Sequence, residues 1–293
     1  MLLMAAARPS DRAAVGVRAL SGGVLGSTVV VGWELGLALV VLVTLGGVVA
    51  VVGGLGWGVG SGVVTAAIRA VAQLAVVSAV IVAVVRSLWL SVAFVAVMLV
   101  IASTTSARRI TGDRSGLLAV VPIGVGALVV LAVVVGVGVV PLVGIALVPV
   151  GGILLGGAMT ATSLAGRRAL DELVARRGEY EAGLALGLLE RDAALLVARP
   201  SAAQAMTPAL DQTRTVGLVT LPGAFVGVLL GSGNPVQAAA AQVLVLIGLL
   251  AAEAVAVVIT VELVARGRIR RADPLPARRR AWLGRIRRRV TAG

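Results

Sequence analysis

Residues 116–140, GLLAVVPIGVGALVVLAVVVGVGVV, hold twenty-five positions without one charged or hydrogen-bonding side chain. A water-soluble helix or strand needs a polar face, and this stretch has none. About 20 consecutive apolar residues suffice to cross a bilayer as a helix. The same pattern recurs along the chain, which predicts an all-α polytopic membrane protein. Seven spans are expected, at roughly 33–56, 63–85, 88–106, 116–140, 143–165, 215–232 and 240–265. Trp33, Trp57 and Trp89 fall near span ends, where interfacial indoles are favoured.

The charges are sorted. All 26 basic residues are Arg, and 21 of them lie in 107–115, 166–214 and the segment after 265. Short loops rich in Arg stay cytoplasmic. The C-terminus and the long helical loop 166–214 are therefore expected inside, and the N-terminus outside, in the cell's inner (cytoplasmic) membrane. The organisation follows: 1–32 an N-terminal extension, 33–265 the membrane domain, 266–293 a basic tail. ARRRAWLGRIRRR, 277–289, is expected on the anionic inner leaflet, with Trp282 at headgroup level. The net charge of +13 could suggest nucleic acid, but aromatic residues are only 2%. That leaves no surface on which bases could stack.

Catalysis has little to work with. There is no His, Cys or Lys, which removes the Ser-His-Asp triad, thiolate metal sites and the phosphate-binding P-loop. No Asp falls inside an expected span. The chain is expected not to be an enzyme and to hold no cofactor, and any metal ligands remain unknown. Polar residues within the spans are few. Arg69 and Gln73 share one helix face at i and i+4. Glu253 lies about twelve residues from either end of its expected span, too deep for a short carboxylate to snorkel. Arg69, Gln73 and Glu253 are expected to face the protein interior, with Arg69 the candidate partner of Glu253. Met159 could offer a thioether to a soft metal ion or pack as an ordinary core residue. With Gln242, these residues form the candidate substrate path. Gly223, Gly227 and Gly231, like Gly152 and Gly156, recur every four residues, as close helix packing requires. Pro222 predicts a kink or break near Leu221-Pro222-Gly223.

The stretch EAGLALGLLERDAALLVARP, 181–200, interrupts this apolar chain with a charged helical segment. Glu181-Ala182-Gly183, Gly187, Val197 and Pro200 keep the spacing of the "EAA" loop of bacterial ABC-transporter permeases, with Gly183 in place of Ala and Arg199 in place of Leu. In that class the loop is a short cytoplasmic helix that docks on the ATPase subunit. More narrowly, AAIRAVAQL (66–74), VPVGGILLGGAM (148–159), EAGLALG (181–187) and TRTVGLVTLPGAFVGVLLGSGNPVQAAAAQ (213–242) resemble the FetB family of iron-export permeases, which has plant relatives linked to aluminium tolerance. The chain departs from the family at Gly157, where Asn is usual, at Ala224-Phe225, where Met-Met is usual, and at Asn234, where Asp is usual. The resemblance implies a permease homodimer that moves a small solute, an iron or other metal ion by export being one case. A separate FetA-like ATP-binding subunit would carry ATP and Mg. The alternatives are a permease for a non-metal solute, or a membrane scaffold or sensor that binds a cytosolic partner through 166–214.

Overall fold

The computed structural model describes residues 33–52 and 60–271. The N-terminal extension 1–32, Trp57, and the tail from 272 with Trp282 lie outside the described residues. The described residues are helical throughout, with one isolated bridge between Val216 and Thr220. The chain divides into two compact units, 1–81 and 82–293.

In the first unit, α1 (Trp33–Val52) meets the start of α2 (Gly60–Val85) where Val64 comes against Gly47. Apolar side chains of α2 such as Ile68, Val71 and Leu74 are exposed, which suits contact with lipid acyl chains.

The second unit begins in the last turn of α2 and continues through α3 (Leu88–Ile110), a 3-10 turn (Arg114–Ala119), α4 (Val120–Gly136) and α5 (Gly144–Ala175). Short helices follow: α6 (Arg177–Ala185), α7 (Glu190–Ala203), α8 (Thr207–Thr215) and α9 (Gly223–Ser232). Then comes the long α10 (Pro235–Ala265). The helices α5 and α10 are the spine. On α5 the buried stripe is Ala158, Ala161, Ala165 and Ala169, one face at i, i+3 and i+4 spacing. Ile110, Ile123, Leu131, Leu154 and Val257 fill the space between helices. The tightest approach of a glycine to another helix's backbone is between α4 and α10, where a Cβ on Gly126 would lie 2.5 Å from the carbonyl oxygen of Ala252.

Among the described residues, five helical segments are long and apolar enough to cross a membrane: Val64–Val85, Leu88–Ile110, Arg114–Gly136, Gly144–Ala175 and Pro235–Ala265. This differs from the seven expected spans. The first expected span is the 20-residue apolar α1, and the sixth corresponds to a shorter apolar helix, Gly223–Ser232. The sixth fails for a local reason. Gly217 has φ +80°, and its N–H donates to the carbonyl of Thr220 at 2.9 Å. This closes a turn just before Pro222, which then precedes the first residue of α9. The break expected at Leu221-Pro222-Gly223 is therefore complete, and α9 has only 10 residues.

The long loop also starts later than expected. Rather than ending at 165, α5 runs 32 residues to Ala175, about 48 Å at 1.5 Å per residue. Against a hydrocarbon layer of about 30 Å, the overhang carries the first part of the expected loop as continuous helix. At 31 residues, α10 overhangs similarly. The chain beyond α10 is packed as well. Gly267, at φ +63°, reverses the chain. Ile269 is fully buried. The Arg270 carbonyl accepts from the Thr111 and Ser115 hydroxyls, both at 3.1 Å, and Arg271 pairs with Asp171 at 2.7 Å. Residues 266–271 thus belong to the folded body rather than to a free tail.

Candidate functional site

The overhanging ends of α5 and α10 carry α6 and α7 as a helical hairpin. The turn between the two short helices is a Schellman motif. The Leu188 N–H donates to the Gly183 carbonyl at 3.1 Å, and the Gly187 N–H to the Leu184 carbonyl at 3.0 Å. Gly187 sits at φ +90°, a conformation that Gly adopts without strain and L residues rarely adopt. Gly183 is buried against the second helix, and a Cβ there would meet Ala193 at 3.3 Å and Leu188 at 3.4 Å. The Ala of the usual pattern would fit with a small adjustment. Glu181 is exposed and pairs with Arg177 at 2.8 Å, and Ala182 is exposed beside it.

One face of α7 is buried through Ala193, Ala194, Val197, Ala198 and Ala202, against α5 and α10. Val197 therefore anchors the hairpin rather than presenting itself to a partner. The opposite face is open. Arg191, Asp192, Leu195, Leu196, Arg199 and Pro200 line a groove of about 460 Å³. Leu186, Leu189 and Leu196 are exposed, the first to 85%. This is an apolar ridge with a charged rim.

A network of charges locks this face to α10. The Arg191 guanidinium donates to both oxygens of Glu262, at 2.6 and 2.9 Å, and Arg266 donates to the same carboxylate at 2.6 Å. Hydrogen bonding to Glu262 raises the pKa of Arg191 above its ordinary value. At the start of α6, Arg176 bridges Glu179 and Glu172 and holds the Glu179 carboxyl below its ordinary pKa. None of this network was found from the sequence: Arg191 and Glu262 are 71 positions apart, and neither belongs to a motif.

Replacing Gly187 by Val should cost about 1–2 kcal/mol at the turn through backbone strain. No neighbour crowds the added carbon, so the α6–α7 hairpin should open by itself. Faster amide exchange confined to 177–203 would show it.

The candidate path residues are divided between the two units. Arg69 and Gln73 are exposed on α2 in the first unit. Gln242 and Glu253, at 5% and 8% exposure, lie on the buried stripe of α10. Gln242 has a structural duty: its Oε1 accepts the N–H of Phe225 at 3.1 Å, satisfying a donor left open where α9 begins. Met159 is part-buried against the core. It is two residues beyond Gly157, so it points to roughly the opposite side of α5 at about 100° per residue. Gly157, one of the departures from the family pattern, is the residue that faces Glu253: a Cβ there would lie 2.6 Å from the Glu253 Oε1. Gly223, Gly227 and Gly231 meet no atom within 4 Å of an added Cβ, nor does Gly156, whereas Gly152 comes against Met98.

No solved structure matches the chain. The rice (Oryza sativa subsp. japonica) UPF0014 membrane protein STAR2 is 30% identical over 172 residues, which are 59% of this chain and 60% of that protein. The probable iron export permease protein FetB of Escherichia coli is 28% identical over 139 residues, 47% of this chain and 54% of that one. The chain thus spans little more than half the length of these two relatives. UPF0014 membrane protein slr1647 of Synechocystis sp. is 29% identical over 224 residues, 74% of this chain and 83% of that protein. Residues 33–269 match the family described as an uncharacterised protein family, UPF0014; the chain is a multi-pass membrane protein belonging to that family.

Proposed function

We propose that the chain is the permease subunit of an ABC transporter. It moves a small solute, with a metal cation such as iron, by export, as the first substrate class to test. The observation that carries the reading is the α6–α7 hairpin: an exposed leucine ridge and groove, fixed to the end of α10 by the two-point Arg191–Glu262 ion pair and to α5 by apolar packing. A lever of this form passes a push at its exposed face directly into α5 and α10. The likeness to a probable iron export permease over 139 residues supports the substrate class.

In this reading Glu181, Ala182, Gly183, Gly187, Val197 and Pro200 build the ATPase dock, ATP and Mg sit on a separate FetA-like subunit, and two permease chains face each other. The dock and the C-terminus are cytoplasmic, in the inner membrane. The test is co-reconstitution of the chain with an ATP-binding subunit in liposomes. Ferrous iron and other divalent cations should stimulate ATP hydrolysis several-fold and move across the bilayer. Hydrolysis indifferent to every cation, with other small solutes stimulating instead, would replace the metal reading. Failure of the two subunits to associate would remove the permease reading.

A further inference from the structure

We infer that Glu253 is a proton-binding site in the seam between α5 and α10, loaded with a proton in this conformation. Glu253 as a residue is 8% exposed and lies twelve residues from the C-terminal end of α10. Its Oε1 rests on Gly157, and the neighbouring Leu249 side chain presses on the same glycine. Among the described residues of the second unit it makes no hydrogen bond or ion pair. An ionised carboxylate in such surroundings is strongly disfavoured unless it is paired.

The charged groups on the elements packed against α10 are all distant. There are none on α4 or α9. The first on α5 are Arg167 and Arg168, ten and eleven residues past Gly157, about 15 Å along the axis. On α7, Arg191 is engaged by Glu262 and Asp192, while Glu190 and Arg199 are exposed. On α8, Asp211 and Arg214 pair with each other at 3.7 Å. Glu262 itself is nine residues beyond Glu253 on α10, about 14 Å.

The site takes a proton rather than a metal ion because of its donor set. Among the described residues no three His, Cys, Asp or Glu side chains gather around one point. A divalent cation on this seam would find one carboxylate and no second acidic, imidazole or thiol ligand among the described residues. A proton needs only the one oxygen. When the seam opens and water reaches Gly157, the charged form becomes solvated and the proton leaves. The site is therefore a conformation-linked proton binder. This inference depends on the membrane fold and not on the permease reading.

The test uses the full chain alone in lipid nanodiscs at neutral pH. Infrared spectroscopy with 13C-labelled glutamate should show the C=O stretch of a protonated carboxylic acid, absent from Glu253→Gln. Dicyclohexylcarbodiimide, an apolar reagent that adds the O–H of a protonated carboxyl across its C=N bond, should label Glu253. A water-soluble carbodiimide should not, and the apolar labelling should fall at least tenfold at alkaline pH. The amide variant keeps the size and neutrality of the protonated acid, so it should elute as the unaltered protein does. The wild-type spectrum stands without it. A carboxylate stretch with no protonated band, or carbodiimide labelling that leaves Glu253 untouched, would overturn the inference and indicate a charged partner such as Arg69 or a second copy of the chain.

Discussion

Replacing Gly126 by Ala should destabilise the protein by about 1–3 kcal/mol, the range for overpacking a close contact. The added carbon would stand 2.5 Å from the Ala252 carbonyl oxygen and 3.4 Å from the Ala256 Cβ. The first obstacle is backbone, which cannot rotate away as a side-chain tip can. In lipid, where helix association depends on close van der Waals packing, pushing α4 off α10 removes contacts along the whole crossing. Gly136→Ala on the same helix is the control, since nothing lies within 4 Å of its added carbon and Ala is the better helix former. Thermal unfolding in detergent should show a lower midpoint for the first variant and an unchanged or higher one for the second. Equal midpoints would mean that the α4–α10 approach does not hold the bundle together.

The second large effect is expected at the Arg191–Glu262 pair. The chain has no cysteine, so two spin labels can be placed at will. Labels on Leu196 of α7 and Val258 of α10, both exposed, should report one narrow distance distribution in the unaltered protein. Glu262→Gln removes the negative charge and one of the two acceptor oxygens that Arg191 and Arg266 share, and should broaden the distribution as the hairpin swings free. Arg191→Lys keeps the charge but not the two-point geometry, and should give an intermediate width. In a coupled assembly the same order should appear as progressive loss of transport per ATP hydrolysed. Narrow distances in all three proteins would show that apolar packing of Ala193, Ala194 and Val197 alone fixes the hairpin.

The sequence revealed the class of fold because uninterrupted apolar runs leave few alternatives in water or lipid. It misjudged where helices stop. Composition changes at 166, but the α5 helix continues because Ala165, Gly166 and Ala169 are small enough to pack. Gly166, for instance, comes against Ile110, whose side-chain carbons would stand 2.9 to 3.1 Å from an added Cβ. In the sixth expected span an apolar composition concealed the Gly217 turn and the Pro222 boundary, and backbone geometry overrode hydropathy. The four-residue glycine spacing on α9 did not mark a contact within the chain. The closest approaches are at Gly126, Gly144 and Gly157, none of which belongs to a four-residue repeat.

The turn of the α6–α7 hairpin is local to Gly187 and so lay within the stretch the sequence singled out, whereas Pro200 lies inside α7 and marks no turn. The Arg191–Glu262–Arg266 network was not legible, because it depends on which distant helix ends meet. Gln242 was legible as a buried polar residue, but its partner, the N–H of Phe225, appears only once α9 is known to break there.

The central claim, that residues 181–200 form the dock for an ATP-binding subunit, is tested most directly by site-specific photocrosslinking in cells that co-express that subunit. A photoactivatable side chain at Leu189 or Leu196, on the exposed ridge, should crosslink to the ATP-binding subunit, and one at Trp89, exposed at the start of α3, should not. Crosslinks from Trp89 with none from Leu189 or Leu196 would contradict the account.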